Sequence, residues 1–443
     1  MSDISNYTKA EDLVERIVNL GSSLEALNIF RSNQKLLRDW KFILPSDKGI
    51  MPGLCVNRSF KNNAVVRSLF SSERVVVFDQ KTISEMEKGK SEFAIDFSLS
   101  LDTMMFSYVE NYIRDPSRAD SIRISDVMQF IASPEVSIDA IPYLQENMHN
   151  LLYGSRFQKY KVYKNVLSYE IIRSIDKRHL TLTKEIRSII SRKQRRRNAI
   201  ELISNNEKLY MQSNKEDDFR YSQKMMYCII IKIVIIHMKY GHQTVAERML
   251  KLMEFLDEEI GYITAREMLL APEYFQRGHN LKFFGKIQKG REDIFSNLEN
   301  MAWDMWHIRQ CEKGISKRVS EPYRYFFSAL LTQDNRFIEV IDICSLDAAI
   351  IKPNGTLQPV HSKNVFDTVF KDQPAYIVAR ARGFYSNGSR RKREMRRDGK
   401  LGKIIENYNT MSLRLEKDLS IICKIEQRQV IEPNHAICRF LDL

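Results

Sequence analysis

The segment FAIDFSLSLDTMMFSY, Phe93 to Tyr108, decides the predicted fold. Its first part, Phe93 to Leu101, is an apolar run of the kind that forms a strand. Asp102 follows at once, and the residues from Thr103 onward have the pattern of a helix. A strand that leads directly into a helix is typical of α/β folds. We therefore predict an α/β sheet that includes this segment.

Further strand-like segments lie on both sides of this one. Arg74 to Phe78 reads RVVVF and ends at Asp79, and Tyr325 to Leu331 reads YFFSALL. Ala375 to Ala381 has enough apolar residues to form another strand. Asp79 and Asp102 both qualify as the acid that follows the first strand, and the sequence leaves that choice open.

The composition is that of a helix-rich folded protein. The chain has 443 residues, 43% of them hydrophobic, with 16 glycines and 11 prolines, about half the average usage of these two residues. The most apolar run, Tyr227 to Met238, is shorter than the roughly twenty residues that cross a bilayer and suits a buried helix or strand. Residues 1–20 lack the apolar core of a signal peptide, and the cysteines are scattered. These features predict a cytoplasmic protein without a membrane partner.

Four acids form the candidate site. Asp102 and Asp334 each follow an apolar strand-like segment. Asp304 lies in the apolar helical stretch NMAWDMWH, where an acid is costly unless it is paired or bound to a metal, and Glu267 lies in the helical stretch AREML. The carboxyl ends of parallel strands meet at one edge of a sheet, where ligands bind. Carboxylates gathered there suit Mg²⁺ or Mn²⁺.

These residues resemble the PIN-like nucleases. The order strand-Asp-Thr-helix, helical Glu, helical Asp and strand-Thr-x-Asp-x-x-Phe is similar to that family, and Thr332 to Phe337 (TQDNRF) is the closest match. The resemblance implies a small α/β domain that gathers acids around divalent metal and cleaves RNA, less often DNA. It implies Asp102, Glu267, Asp304 and Asp334 as the four catalytic acids, in that order, with Asp102, Asp304 and Asp334 holding the metal.

The resemblance also implies a division of the chain. A PIN-like parallel-sheet catalytic lobe would consist of residues 73–116 and 260–350, interrupted by a large helical insertion at 117–259. Outside this lobe, the helical spacing of apolar residues predicts an N-terminal helical region at residues 1–72, and the charge pattern predicts a basic C-terminal region at residues 351–443.

Two basic clusters are candidates for contact with a polyanion. The chain has 69 Lys and Arg against 56 Asp and Glu, a net charge of +13, which favours such a partner. We expect the cluster between Arg192 and Arg197 to be a solvated face. We expect the second cluster to bind phosphates, next to the aromatic residues Phe384 and Tyr385. Its members are Arg390, Arg391, Lys392, Arg393, Arg396, Arg397 and Lys400, and the first six are the predicted nucleic-acid-binding residues.

Two functions follow from these observations. The first is a metal-dependent nuclease, acting on RNA in preference to DNA, of the kind that serves as a toxin or defence effector in the family it resembles. The second is a non-catalytic nucleic-acid-binding or scaffold protein, in which the acids are structural and the helical insertion docks a protein partner.

Overall fold

The computed structural model describes residues 2–20, 22–45, 54–89, 95–117, 124–132, 136–183, 185–212, 219–316, 323–398 and 404–425. Residues 93 and 94 of the predicted strand that ends at Leu101 lie outside these ranges.

The described α-helices are, in chain order, α1 (Ser2–Val18), α2 (Ser23–Ser32), α3 (Gln80–Glu87), α4 (Thr103–Arg114), α5 (Ser125–Ile131), α6 (Ile141–Glu146), α7 (Met148–Tyr153), α8 (Arg156–Arg173), α9 (Lys177–Thr183), α10 (Arg192–Gln212), α11 (Phe219–Lys239), α12 (Val245–Phe255), α13 (Ala265–Arg277), α14 (Ile294–Ile315), α15 (Asn335–Ile343), α16 (Ala375–Gly383), α17 (Asn387–Asp398) and α18 (Ile404–Cys423). Single turns of π-helix lie at Leu256–Ile260 and Phe366–Phe370, and of 3₁₀-helix at Gly278–Asn280 and Lys282–Phe284.

The strands are β1 (Lys41–Pro45), β2 (Leu54–Cys55), β3 (Arg58–Ser59), β4 (Val65–Arg67), β5 (Arg74–Phe78), β6 (Ile95–Leu101), β7 (Ser137–Asp139), β8 (Tyr325–Thr332), β9 (Leu346–Ile351) and β10 (Leu357–His361). An antiparallel sheet has the order β10-β9-β1-β5-β2, and a mixed sheet has the order β3-β4-β8-β6-β7. The fold is therefore helix-rich α/β, as the sequence predicts.

The chain forms two compact units, each built from separate stretches. Unit 1 consists of Met1–Asn206, Arg309–Gln333 and Ser345–Ser362 and contains both sheets. Unit 2 consists of Glu207–Ile308, Asp334–Cys344 and Lys363–Leu443 and, within the described ranges, is helical. The predicted helical insertion, 117–259, is thus divided between the two units.

Two apolar cores hold unit 1 together. In the mixed sheet, β6 is parallel to both β7 and β8, and its residues Leu99 and Leu101 are fully buried against α4 and α8. In the antiparallel sheet, Phe42 and Phe78 stack with ring centroids 5.4 Å apart, and Phe30 from α2 meets both edge-on. Because side chains alternate between the two faces along a strand, Phe42 and Phe78 lie on the same face of the sheet, and α2 packs against that face.

Unit 2 is organised around α11. This helix is apolar on nearly every side, so it is buried between other helices rather than at the surface. The Tyr227 hydroxyl donates a hydrogen bond of 2.8 Å to Glu416 of α18, which satisfies two polar groups inside the packed interface. The segment Tyr227 to Met238 is therefore a buried helix, one of the two predicted alternatives. No helix in the described part of the chain is both long and apolar enough to cross a membrane.

Two sequence predictions differ from the structure. The helical character predicted for residues 1–72 ends near Trp40, after which β1 to β4 follow. Three of these strands have two or three residues each, too few to show a two-residue period. The strand predicted at Ala375 to Ala381 is wrong because this segment is helix α16. Its alanines and arginines are strong helix formers.

Candidate functional site

The carboxyl ends of three parallel strands meet at one edge of the mixed sheet. In the strand register, Ser100 of β6 lies opposite Asp139 of β7 and Leu330 of β8. Asp102 follows the last residue of β6, and Thr332 is the last residue of β8. Polar side chains from all three strands therefore lie along this edge, which we call the carboxylate edge.

Asp102 is held in a defined orientation. It is the N-cap of α4, and its Oδ1 accepts a 2.6 Å hydrogen bond from the backbone N–H of Met105. The other carboxylate oxygen, Oδ2, accepts a hydrogen bond from the hydroxyl of Thr332. These two hydrogen bonds fix the plane of the Asp102 carboxylate at the end of β6.

Glu146, the last residue of α6, is the second acid at this edge. Its carboxyl group is buried, although the residue as a whole is partly exposed. Burial raises the pKa of Glu146 from its ordinary value of 4.5 to about 7, against the lowering effect of a hydrogen bond from Thr103, and the charge of Asp102 raises it further. Thr103 in turn accepts a 3.2 Å hydrogen bond from Asn147. Two neighbouring acids are thus fixed in place although their charges repel.

Asp139 and Ser100 extend the carboxylate edge. Asp139 ends β7, and its Oδ1 accepts a 2.8 Å hydrogen bond from the backbone N–H of Ile141. The hydroxyl of Ser100 is buried and has no hydrogen-bond partner within the described residues. A buried hydroxyl left without a partner costs about 1–3 kcal/mol, so this edge is suited to a water molecule or a ligand.

The groups at this edge fit a hard divalent cation. Mg²⁺ keeps several waters and is usually bound by one or two carboxylates together with substrate phosphates. Asp102 and Glu146 supply two carboxylates whose repulsion a cation would offset. A set of three or more His, Cys, Asp or Glu side chains arranged to hold a metal is absent from the part of the chain that the structure describes. A cation at this edge would need water or other ligands besides these two carboxylates.

The other predicted acids lie in unit 2. Glu267 is in the first turn of α13, where the helix dipole favours an acid, and its side chain is fully buried. Asp304 is half-buried on α14. The pKa of Arg336 is raised mainly by its hydrogen bond to Asp334, and the charge of Asp304 adds to this effect. The predicted metal set of Asp102, Asp304 and Asp334 is thus distributed over both units, and its role as one site stays a prediction.

Asp334 has a strong local partner. It is the N-cap of α15, and Arg336 donates to both of its carboxylate oxygens at 3.0 and 2.5 Å. Burial acts to raise the pKa of Asp334, but the hydrogen bonds from the Arg336 side chain and backbone N–H outweigh it, so that the pKa is lowered. The charged form of Asp334 is therefore stabilised within unit 2 itself.

The six predicted nucleic-acid-binding residues of the second basic cluster divide into two groups of three, and Lys400 lies outside the described residues. Arg393 and Arg396 donate to the carboxylate of Asp257, at 2.5 and 2.9 Å, and Arg397 donates to the carbonyl of Gly261. These three side chains attach α17 to the turn of π-helix at Leu256–Ile260 and to the glycine that follows it. The side chains of Arg390, Arg391 and Lys392 are exposed. Arg390 forms an exposed ion pair of 3.3 Å with Glu394, which a phosphate would have to replace or share. The phosphate contact predicted for these three residues stays a prediction.

The sequence prediction missed Glu146 and Asp139. Asp139 ends a strand of three residues, which is too short to show a strand pattern, and Glu146 follows it in a six-residue helix. The sequence offers one signal, Pro142, which lies three residues after Asp139. Because proline is favoured in the first turn of a helix, it marks the start of a helix directly after this acid.

No protein-family model, curated protein or solved structure matches the chain.

Proposed function

We propose that this protein is a metal-dependent nuclease that hydrolyses phosphodiester bonds, of RNA in preference to DNA. The observation that carries the proposal is the meeting of Asp102 and Glu146 at the carboxyl ends of parallel strands. A PIN-like catalytic lobe is part of the proposal, supported by the order strand, Asp-Thr, helix around Asp102 and by the parallel pairing of β6 with β8.

Asp102 and Glu146 would hold Mg²⁺ or Mn²⁺. When bound, such a cation polarises a phosphoryl oxygen and lowers the pKa of a bound water. The chain supplies the fixed geometry: Thr332 and the N–H of Met105 orient Asp102, and Thr103 orients Glu146. A preorganised pair of this kind needs little rearrangement when substrate arrives.

The test is cleavage of labelled single-stranded RNA and DNA with Mg²⁺, Mn²⁺ or excess chelator. We expect Asp102→Asn and Glu146→Gln each to abolish a metal-dependent cleavage that the wild-type chain shows. Asp96→Asn is the matched control, because Asp96 lies near the opposite end of the same strand, β6. Cleavage that persists in both variants, or in chelator, would reject the site.

Two further variants test the acids of unit 2. Asp304→Asn and Asp334→Asn should reduce cleavage if the metal set predicted from the sequence is correct. Unchanged cleavage in both would restrict the site to the carboxylate edge.

The exposed cations of α17 give a separate prediction about substrate binding. Replacing Arg390, Arg391 and Lys392 by Gln should weaken binding to all nucleic-acid sequences alike. A plot of the logarithm of the binding constant against the logarithm of the salt concentration should become less steep by about 2, because each phosphate contact to a single strand contributes about 0.7 to its slope. The matched control replaces Arg192, Lys193 and Arg196, which are equally exposed on α10. An unchanged slope would leave α17 as a solvated surface.

The second candidate function is non-catalytic nucleic-acid binding or scaffolding. It is favoured by the fact that Asp102 and Asp334 each cap a helix, a structural role that accounts for an acid after a strand. Binding of the labelled strands without cleavage in either metal would support this function.

A further inference from the structure

The segment from Asn147 to Tyr169 has an unusual composition. It contains no Asp or Glu, in a chain with 56 of them. Its aromatic residues are Tyr153, Phe157, Tyr160, Tyr163 and Tyr169, and its basic residues are His149, Arg156, Lys159, Lys161 and Lys164. Interleaved aromatic and basic side chains without acids are characteristic of surfaces that bind single-stranded nucleic acid.

The structure places three of these aromatic rings in solvent. The exposed fraction is 75% for Phe157, 51% for Tyr160 and 37% for Tyr153. Phe157 and Tyr160 are three residues apart in α8 and so lie on one face of the helix, while Val162 and Val166 on another face are buried in the core. The rings are therefore not needed for the packing of α8. Single exposed aromatics are common, but three within eight residues form a patch.

Cations accompany the rings on the same surface. The ammonium group of Lys164 lies 5.5 Å from the centre of the Tyr160 ring and 3.1 Å from Glu110. Lys161 is exposed one turn after Phe157, and Arg156 is exposed at the first position of the helix. The helix N-terminus adds partial positive charge at this end. We call the surface formed by Tyr153, Arg156, Phe157, Tyr160 and Lys161 the aromatic platform.

The aromatic platform is connected to the carboxylate edge through hydrogen bonds within unit 1. Asn147, the residue after Glu146, accepts a 3.1 Å hydrogen bond from Asn150. Asn150 in turn accepts one of 3.4 Å from Gln158, which belongs to the capping box that begins α8. Two hydrogen bonds thus link the residue after Glu146 to the first turn of the helix that carries the platform.

We propose that the aromatic platform binds a single-stranded segment of nucleic acid, with bases stacked on Phe157, Tyr160 and Tyr153 and with phosphates near Arg156 and Lys161. The proposal deepens the proposed nuclease function and rests on it for the role of the bound strand as substrate. A duplex is a poorer occupant because its bases already stack on one another, whereas an unpaired base has a free face.

The test is equilibrium binding of a fluorescent ten-nucleotide RNA to the full chain in EDTA, measured by anisotropy. Phe157→Ala and Tyr160→Ala should each weaken binding by roughly 5- to 100-fold, the range found for loss of one stacked base. Tyr376→Ala is the matched control, because Tyr376 is a 72% exposed tyrosine of unit 2. The affinity of this variant for the RNA should stay within about twofold of the wild-type value. Lys161→Gln should lower the salt slope by about 0.7.

The outcomes separate this inference from the proposed function. Loss of binding in Phe157→Ala and Tyr160→Ala supports the platform even when the wild-type chain cleaves nothing. Unchanged binding in both variants overturns the platform, while the cleavage tests on Asp102 and Glu146 still decide the nuclease. Equal loss of binding to a duplex of the same length, or to vesicles with one fifth phosphatidylserine, would also overturn it, because the rings would then not act by stacking on unpaired bases.

Discussion

Replacing Glu146 by Gln should stabilise the metal-free protein at alkaline pH. The raised pKa means that folding disfavours the charged form of this carboxyl group, mainly through burial. Gln keeps the shape and can still hydrogen-bond to Thr103, but it removes the charge beside Asp102. Loss of an ordinary surface acid, by contrast, usually changes stability by no more than about 0.5 kcal/mol.

The magnitude follows from the displaced pKa. A rise from 4.5 to about 7 corresponds to about 3 kcal/mol, at about 1.4 kcal/mol for each pH unit, and the partial exposure of Glu146 reduces the expected gain to about 1–2 kcal/mol. Below pH 4.5 the group is protonated in both the unfolded and the folded protein, so it costs nothing there. The cost appears between pH 4.5 and about 7 and is complete above that range.

Urea unfolding in EDTA at pH 4.5 and pH 8.5 measures this difference. Hydrogen exchange of peptides from residues 95–153 then identifies the contribution of unit 1. Glu185→Gln is the control, because Glu185 is a 78% exposed side chain of the same unit. A gain that is equal at the two pH values, or a loss of stability at pH 8.5, would refute the reasoning. In excess Mg²⁺ the wild-type chain should recover more stability at pH 8.5 than Glu146→Gln does.

Three other substitutions have defined expectations. Thr332→Val removes the hydroxyl that donates to Asp102 and should cost about 1–3 kcal/mol in urea unfolding, since that acceptor is charged; an unchanged midpoint would show that this hydrogen bond contributes nothing. Arg393→Met removes the buried ion-pair partner of Asp257, so the free energy of unfolding should fall by about 2–3 kcal/mol and hydrogen exchange in α17 should increase. Unaltered exchange in α17 would show that Arg393 does not hold this helix in place. Asp334→Asn should lower the free energy of unfolding by about 1 kcal/mol at pH 7 and leave it unchanged at pH 2. The lowered pKa of Asp334 stabilises the folded protein above the pKa of the unfolded state, and this stabilisation is lost as the pH falls through the pKa of the folded state. An equal cost at both pH values would show that the effect comes from geometry and not from charge.

The elements that sequence patterns predicted best are those with long apolar runs. β5, β6, β8 and the buried α11 each contain four or more apolar residues, and the sequence predicts each as a strand or a buried segment. β2, β3, β4 and β7 have two or three residues, so their pairing is decided by neighbours distant in sequence rather than by local pattern.

The candidate site shows the same limit. Asp102 follows a strand and was found, because the strand itself is visible in the sequence. The sequence around Glu146 contains no pattern that indicates a site residue. The residues that determine its environment, Thr103 and Asp102, lie more than forty residues earlier in the chain. In the basic cluster, Arg390 and Arg393 are alike in sequence, and only the packing of α17 against Asp257 distinguishes the exposed side chain from the buried one.

The order of the strands in the mixed sheet has a consequence for synthesis. β8 is the middle strand, yet Thr332 follows Asp102 by 230 residues. A ribosome that adds about 5–20 residues per second needs roughly 10–50 s to make that stretch. During this interval the nascent chain carries β6 without its central neighbour, and Asp102 lacks the hydrogen bond from Thr332. Truncated products that end before Tyr325 therefore carry both acids of the carboxylate edge but not the strand that completes it.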